Sequence, residues 1–174
     1  MNKGKGFTLL EVLVVIAIIA IIIAFAVSNF VGARQRARDI RKKSELQQVK
    51  TALRLYYNDY NMYPGPAAKA TNDINGCGTP SPVVPSTSCQ SACSSGGDVT
   101  FAAGPTSCDT VYMKQLPPSA DYTWYYEQAS SGDDFCLWTN LEIISDPEIA
   151  KSEAKCKSVC NSIADAGSYV VCAD

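Results

Sequence analysis

The chain has no histidine among its 174 residues, and its first 60 hold neither cysteine nor proline. The missing histidine removes Ser-His-Asp and Cys-His catalysis, and no phosphate-binding glycine loop or metalloprotease motif takes their place. A Ser–Lys pair is left open but unmarked, so the chain reads as a non-enzyme without a cofactor. Any zinc site would have to be all-cysteine. The missing proline matters for shape: from Phe7 to Tyr60 only Gly32 interrupts a helix-compatible sequence, so one helix is expected over that stretch. Its 54 residues correspond to roughly 80 Å at about 1.5 Å per residue. Between Val12 and Val27 there is no charge of either sign. The 21 residues Phe7 to Val27 reach the ~20 needed to cross a bilayer core, where internal hydrogen bonding leaves the backbone no alternative to helix.

One carboxylate, Glu11, stands at the start of this run. An unpaired carboxylate in hydrocarbon is costly, so Glu11 asks for a partner of opposite charge. Lys3 and Lys5 before the run, with Ala24-Phe25-Ala26 near its end, also fit a cleaved secretory signal. The length of the apolar run and the position of Glu11 speak against that alternative.

Lys5-Gly6-Phe7-Thr8-Leu9-Leu10-Glu11-Val12-Leu13 resembles the class III leader of type IV pilins and type II secretion pseudopilins. The resemblance implies cleavage between Gly6 and Phe7 by a prepilin peptidase, N-methylation of Phe7, and retention of the apolar helix. It also implies that Glu11 pairs with the Phe7 amine of a neighbouring subunit during assembly. In low dielectric such a pair adds little net stability but penalises misalignment, since a slipped register leaves both charges unpaired. Leu53 to Pro64 is similar to the helix exit of the same family. Many members carry a helix-breaking proline that this chain lacks, and local melting near Ser28, Asn29 and Gly32 stays open.

Charge divides unevenly: residues 1–60 carry ten Lys/Arg against four Asp/Glu, residues 61–174 five against thirteen. The stalk is basic and the head acidic, which argues against nucleic-acid binding by the head. The basic patch Arg34, Arg36, Arg38, Arg41, Lys42 and Lys43 is relieved only by Asp39, at helical spacing from Lys42 and Lys43. Three uses stand open for it: lipid headgroups, acidic heads of adjacent subunits, or DNA. A positive-inside count would keep this flank cytoplasmic, but the cysteines and the resemblance place the head on the far side. Leu46, Val49, Leu53, Tyr56 and Tyr60 recur at spacings of three and four, a stripe on which the head should dock.

All eight cysteines, Cys77, Cys89, Cys93, Cys108, Cys136, Cys156, Cys160 and Cys172, lie in the head. Their even number in a small, exported, loop-rich domain reads as disulfides, with connectivity open among about 105 pairings. The rival is zinc held by Cys89-x3-Cys93 and Cys156-x3-Cys160. Residues 65–110, rich in Gly, Pro, Ser and Thr, are expected as a long irregular loop. Tyr122–Glu127 and Asp134–Leu141 read as a hairpin about Ser130-Ser131-Gly132-Asp133, Asp146-Pro147 as the start of a helix to about Val159, and Ser168–Cys172 as a third strand. Asp133 and Asp134 are the candidate calcium ligands.

The expected fold is α+β: a long N-terminal helix, half hydrophobic and half amphipathic, packed against a small antiparallel head with disulfide-tied loops. Its parts are a leader 1–6, a membrane or filament-core helix 7–27, an amphipathic continuation 28–60 and a head 61–174. The expected role is a pilus subunit, with a secretion pseudopilin as the alternative and a non-polymerising disulfide-rich binding module as the reading of another class. The partners the resemblance implies are identical subunits, prepilin peptidase, a membrane assembly platform and, before assembly, the lipid bilayer of the cell membrane. After assembly the chain belongs to a cell-surface filament.

Overall fold

A computed structural model describes residues 7–65, 70–71, 74, 101–103, 110–118, 120–160 and 167–173, with the backbone alone at 25–29 and 70–71. Helix α1 runs Leu9–Tyr60. Its backbone stays helical through Ser28, Asn29 and Gly32, so no melted segment interrupts it. Thr8 caps its start: the Glu11 amide donates to Thr8 Oγ1 at 3.3 Å, satisfying one of the amides a helix start leaves unpaired. The stop comes at Asn61, whose φ of 53° is left-handed and whose amide closes on the Tyr57 carbonyl. The chain divides into two units, Met1–Arg38 and Asp39–Asp174.

Among the described residues of the second unit six strands follow: β1 Ala70–Thr71, β2 Phe101–Ala103, β3 Thr110–Met113, β4 Trp124–Gln128, β5 Phe135–Asn140 and β6 Ser168–Cys172, with helix α2, Pro147–Cys156, between β5 and β6. One antiparallel sheet has the order β1-β4-β5-β6, and β2 pairs with β3 in a second. The expected β4–β5 hairpin is present, Tyr126 opposite Leu137 and Tyr125 opposite Trp138. The expected third strand, β6, pairs with β5. The expected loop over 65–110 is corrected: it contains β1, β2 and a buried Ile74. Two- and three-residue strands are too short to show a period, which is why the sequence hides them.

The period of two in β5 assigns its faces. Phe135 and Leu137 join Val171 of β6 in a core with Leu46, Val49, Leu53 and Tyr56 of α1. Cys136 and Trp138 turn the other way, into a second cluster with Cys156 of α2 and Val170 and Cys172 of β6. The central sheet is therefore sandwiched between the C-terminal part of α1 and α2, and β5 is buried on both faces. The docking stripe is where the helix spacing placed it; Tyr60 is half-buried at its edge. Tyr56 also holds the second sheet, with ring centroids 5.6 Å from Phe101 and 5.4 Å from Tyr112. Each such ring removed from water is worth about 1.5–3 kcal/mol, so this one tyrosine is a main tie between sheet and helix.

The helix exit is strapped to the hairpin turn by polar bonds. The Gln128 amide donates to the Tyr63 carbonyl at 2.6 Å, the Tyr63 amide to the Gly132 carbonyl at 2.8 Å, and the Tyr126 hydroxyl to the Pro64 carbonyl. Gly132 takes a positive φ of 76°, which a side chain would strain. Burial and the neighbouring tyrosines push the Tyr126 phenol well above its usual pKa.

Candidate functional site

Two regions carry the sequence-predicted site residues. In the first unit, Phe7, Leu9, Leu10 and nearly every larger apolar side chain from Val12 to Ile23 are exposed, between 47% and 82%. A helix apolar all round and exposed all round requires cover from lipid or other chains. Among the described residues no helix is long and apolar enough to cross a membrane. Glu11 lies in the first turn of α1, where a carboxylate also suits the positive end of the helix dipole. Thr8-x-x-Glu11 is a capping-box pattern, a helix-start signal concealed in the sequence by its overlap with the leader motif. Phe7 is 80% exposed, and Gly6 lies outside the described residues.

The second region is the seam between α1 and the segment joining β5 to α2. Helical spacing makes Asp39 a partner for Lys42 or Lys43 within the basic patch. In the fold it does more: its two carboxylate oxygens accept from the Glu142 amide at 2.9 Å and the Ile143 amide at 3.0 Å, and it is buried. Lys42 lies 3.8 Å from Asp39 and donates to the Asn140 carbonyl at 3.1 Å. Lys43 reaches both Asp146, the N-cap of α2, and Glu148 in its first turn, at 2.5 and 2.6 Å. Arg41 pairs with Glu45 at 2.7 Å and Asp121 at 3.0 Å. Arg41, Lys42 and Lys43 of the basic patch thus meet residues of the acidic head. Lys42 and Lys43 are largely buried by contacts with residues about 100 positions away that sequence alone cannot pair, while the Arg41 side chain stays 56% exposed.

Electrostatics follow from these contacts. The hydrogen bond from Lys43, with that from the Glu148 amide, holds the Asp146 carboxyl below its usual value. Partial burial works against the Lys43 charge, but the bonds to Asp146 and Glu148 outweigh it and raise the ammonium pKa. Tyr122 donates to Glu45 and Tyr112 to Asp59, both at 2.6 Å; burial first, then the carboxylate, raises both phenols above their ordinary range.

Four of the cysteines form two bridges, Cys136–Cys160 and Cys156–Cys172. They tie β5 and β6 to α2 and its exit. Cys156 and Cys160 enter different bridges, so the zinc reading of that pair is overturned. Cys77, Cys89, Cys93 and Cys108 lie outside the described residues. Of the calcium candidates, Asp134 spends one oxygen on the amides of Phe135 and Ala173, at 2.7 and 3.0 Å, and Asp133 is exposed in the turn. Among the described residues no three His, Cys, Asp or Glu converge as a metal site.

The N-terminal residues 1–27 match the prokaryotic N-terminal methylation motif. Over 112 residues the chain is 39% identical to the type IV wide pilus major component of Thermus thermophilus, covering 60% of this chain and 85% of that protein. It is 38% identical over 64 residues to the type II secretion system core protein G of Vibrio cholerae, 37% of this chain and 44% of that one. It is 33% identical over 61 residues to the type IV major pilin of Myxococcus xanthus, 35% and 28%. The chain thus spans less than half the length of these last two. No solved structure matches. A long helix with an exposed apolar end and a disulfide-tied head defines a structural filament subunit. The chain belongs to the type IV pilin family.

Proposed function

We propose that the chain is cut between Gly6 and Phe7, that the new Phe7 amine is methylated, and that residues 7–27 hold the mature protein in the cell membrane until it polymerises into a cell-surface pilus. Residues 28–60 continue the helix and 61–174 form the head. The observation that carries this reading is the exposed apolar end of α1, which neighbouring helices would bury in a fibre core. Glu11 then meets the Phe7 amine of the adjacent subunit and fixes the register. Prepilin peptidase, a membrane platform, identical subunits and the bilayer are the partners of this cycle, and the chain's part in it is structural, without catalysis. A pilus is favoured over a secretion pseudopilus because the match to the Thermus pilus component extends over 60% of this chain and that to the secretion protein over 37%. The test is Glu11→Ala in the producing cell, with surface filaments counted by electron microscopy. Loss of filaments with normal membrane levels of the chain supports the registry role. Filaments as abundant as in the parent overturn it.

A further inference from the structure

The cations of the basic patch differ in what meets them. Arg41 reaches Glu45 and Asp121, whereas among the described residues no carboxylate forms an ion pair with Arg34 or Arg36, and both are exposed. Two positions apart on a helix of 3.6 residues per turn is about 200° of rotation, so Arg34 and Arg36 leave opposite sides of α1. A partner laid along one side of the helix would meet only one of them. A layer that surrounds the helix meets both. Height along the axis agrees: the uncharged run ends at Val27, and Arg34 follows roughly 10 Å further on, at about 1.5 Å per residue. Side chains of a helix lean towards its N-terminus. Arg34 does so here, with Cζ 4.3 Å from the centroid of the Phe30 ring, one turn back. Its charge therefore lies on the order of 5 Å beyond the apolar run, within the ~5–8 Å headgroup layer that borders a bilayer core. Phe30 and Val31, both more than half exposed, stand at the apolar side of that step, as a membrane interface favours.

We propose that Arg34 and Arg36 bind the phosphates of anionic phospholipids in the leaflet from which the head projects, and so fix the depth of α1 in the membrane before polymerisation. The inference rests on the membrane-stored reading of residues 7–27 and adds the lipid class and the residues that select it. A guanidinium presents paired N–H donors that match two oxygens of one phosphate, and stacking on Phe30 holds the Arg34 fork in place. A headgroup of net negative charge, such as phosphatidylglycerol, keeps that attraction; the choline of phosphatidylcholine cancels it. Each cation beside an anionic surface is worth about a five-fold preference. Anionic headgroups also offset the tendency of such a basic flank to stay on the cytoplasmic side.

The experiment reconstitutes the full-length chain into phosphatidylcholine vesicles that contain a minor share of phosphatidylglycerol, with a nitroxide on the acyl chain of one lipid or the other. Electron spin resonance then reads which lipid is slowed by contact with the chain. Phosphatidylglycerol slowed with about five-fold preference supports the proposal, provided that Arg34→Gln with Arg36→Gln brings the two lipids near parity and Arg41→Gln leaves the preference standing. Parity in the parent chain overturns it, and so does an equal loss with Arg41→Gln, which would reduce the effect to overall charge. A preference seen only at high chain-to-lipid ratio, where copies touch, makes the arginines a contact between chains and overturns it too. Inorganic phosphate that removes the preference when chloride of the same ionic strength does not would make them a site for a free anion, again against the proposal. If the chain does not float with the vesicles, the membrane-stored reading itself fails, a result distinct from all of these.

Discussion

Asp39→Ala should be among the most damaging single changes available in this chain. The side chain is 2% exposed and serves three groups: the amides of Glu142 and Ile143, at 2.9 and 3.0 Å, and the ammonium of Lys42 at 3.8 Å. Truncation leaves two backbone donors short of an acceptor, at about 1–3 kcal/mol each where buried, and takes the carboxylate from a lysine that is itself only 8% exposed. The parts overlap, since relaxation of the 140–143 segment relieves all of them together, so a total of about 3–5 kcal/mol is expected. Asp39→Asn keeps one acceptor oxygen and should cost about half as much. The assay is denaturant unfolding of the full chain in detergent with its disulfides intact, followed by the fluorescence of buried Trp124 and Trp138. A loss below about 1 kcal/mol for Asp39→Ala, the range of an ordinary surface substitution, would refute this account of the seam.

Three further outcomes are expected. Replacing Cys156 and Cys172 together by Ala opens a bridge of sequence separation 16 and should lower stability by about 2–4 kcal/mol, read in the same unfolding assay. The Lys43 clasp has a defined pH window: Asp146 titrates lower in the folded state than its ordinary 3.8, so its contribution is full above that value and lost as pH falls through the folded pKa. Lys43 titrates above its ordinary 10.5, so its contribution is full below that value and lost as pH rises through the folded pKa. Lys43→Met should therefore be less stable than the parent by a constant margin at neutral pH, converging with it in acid; a margin that persists unchanged through strong acid would contradict the pairing. Finally, Tyr112, Tyr122 and Tyr126 should stay un-ionised in an alkaline absorbance titration past the pH at which a free phenol loses its proton, and stability should fall as pH rises above ~10, where the unfolded phenols ionise.

What the sequence made legible is what period and punctuation encode. The stripe Leu46-Val49-Leu53-Tyr56 is a spacing of three and four, and it became the docking face. Asp146-Pro147 is a cap followed by a proline at the first helical position, and α2 begins there. Phe135 to Asn140 alternates, and its two sets of side chains fill two different clusters. The parts that stayed hidden depend on residues remote in the chain. Nothing in the spacing of Asp39 points to amides at 142 and 143. Lys43 reads as a solvated or lipid-facing charge until α2 brings Asp146 and Glu148 to it. Strands β1 and β2 are fixed by their neighbours Tyr125, Tyr126 and β3, not by any signal of their own. The Cys156-x3-Cys160 spacing suits a metal as well as a bridge, and only the position of Cys136 and Cys172 decides between them.

The central claim is that this chain becomes a filament subunit through its own processed N-terminal helix. The direct measurement is the intact mass and N-terminal sequence of the chain taken from sheared, purified filaments. A chain beginning at Phe7, heavier by one methyl group than its sequence requires, is the predicted result. A chain in those filaments that retains Met1, or that begins at Val27 after loss of the apolar segment, would contradict the account.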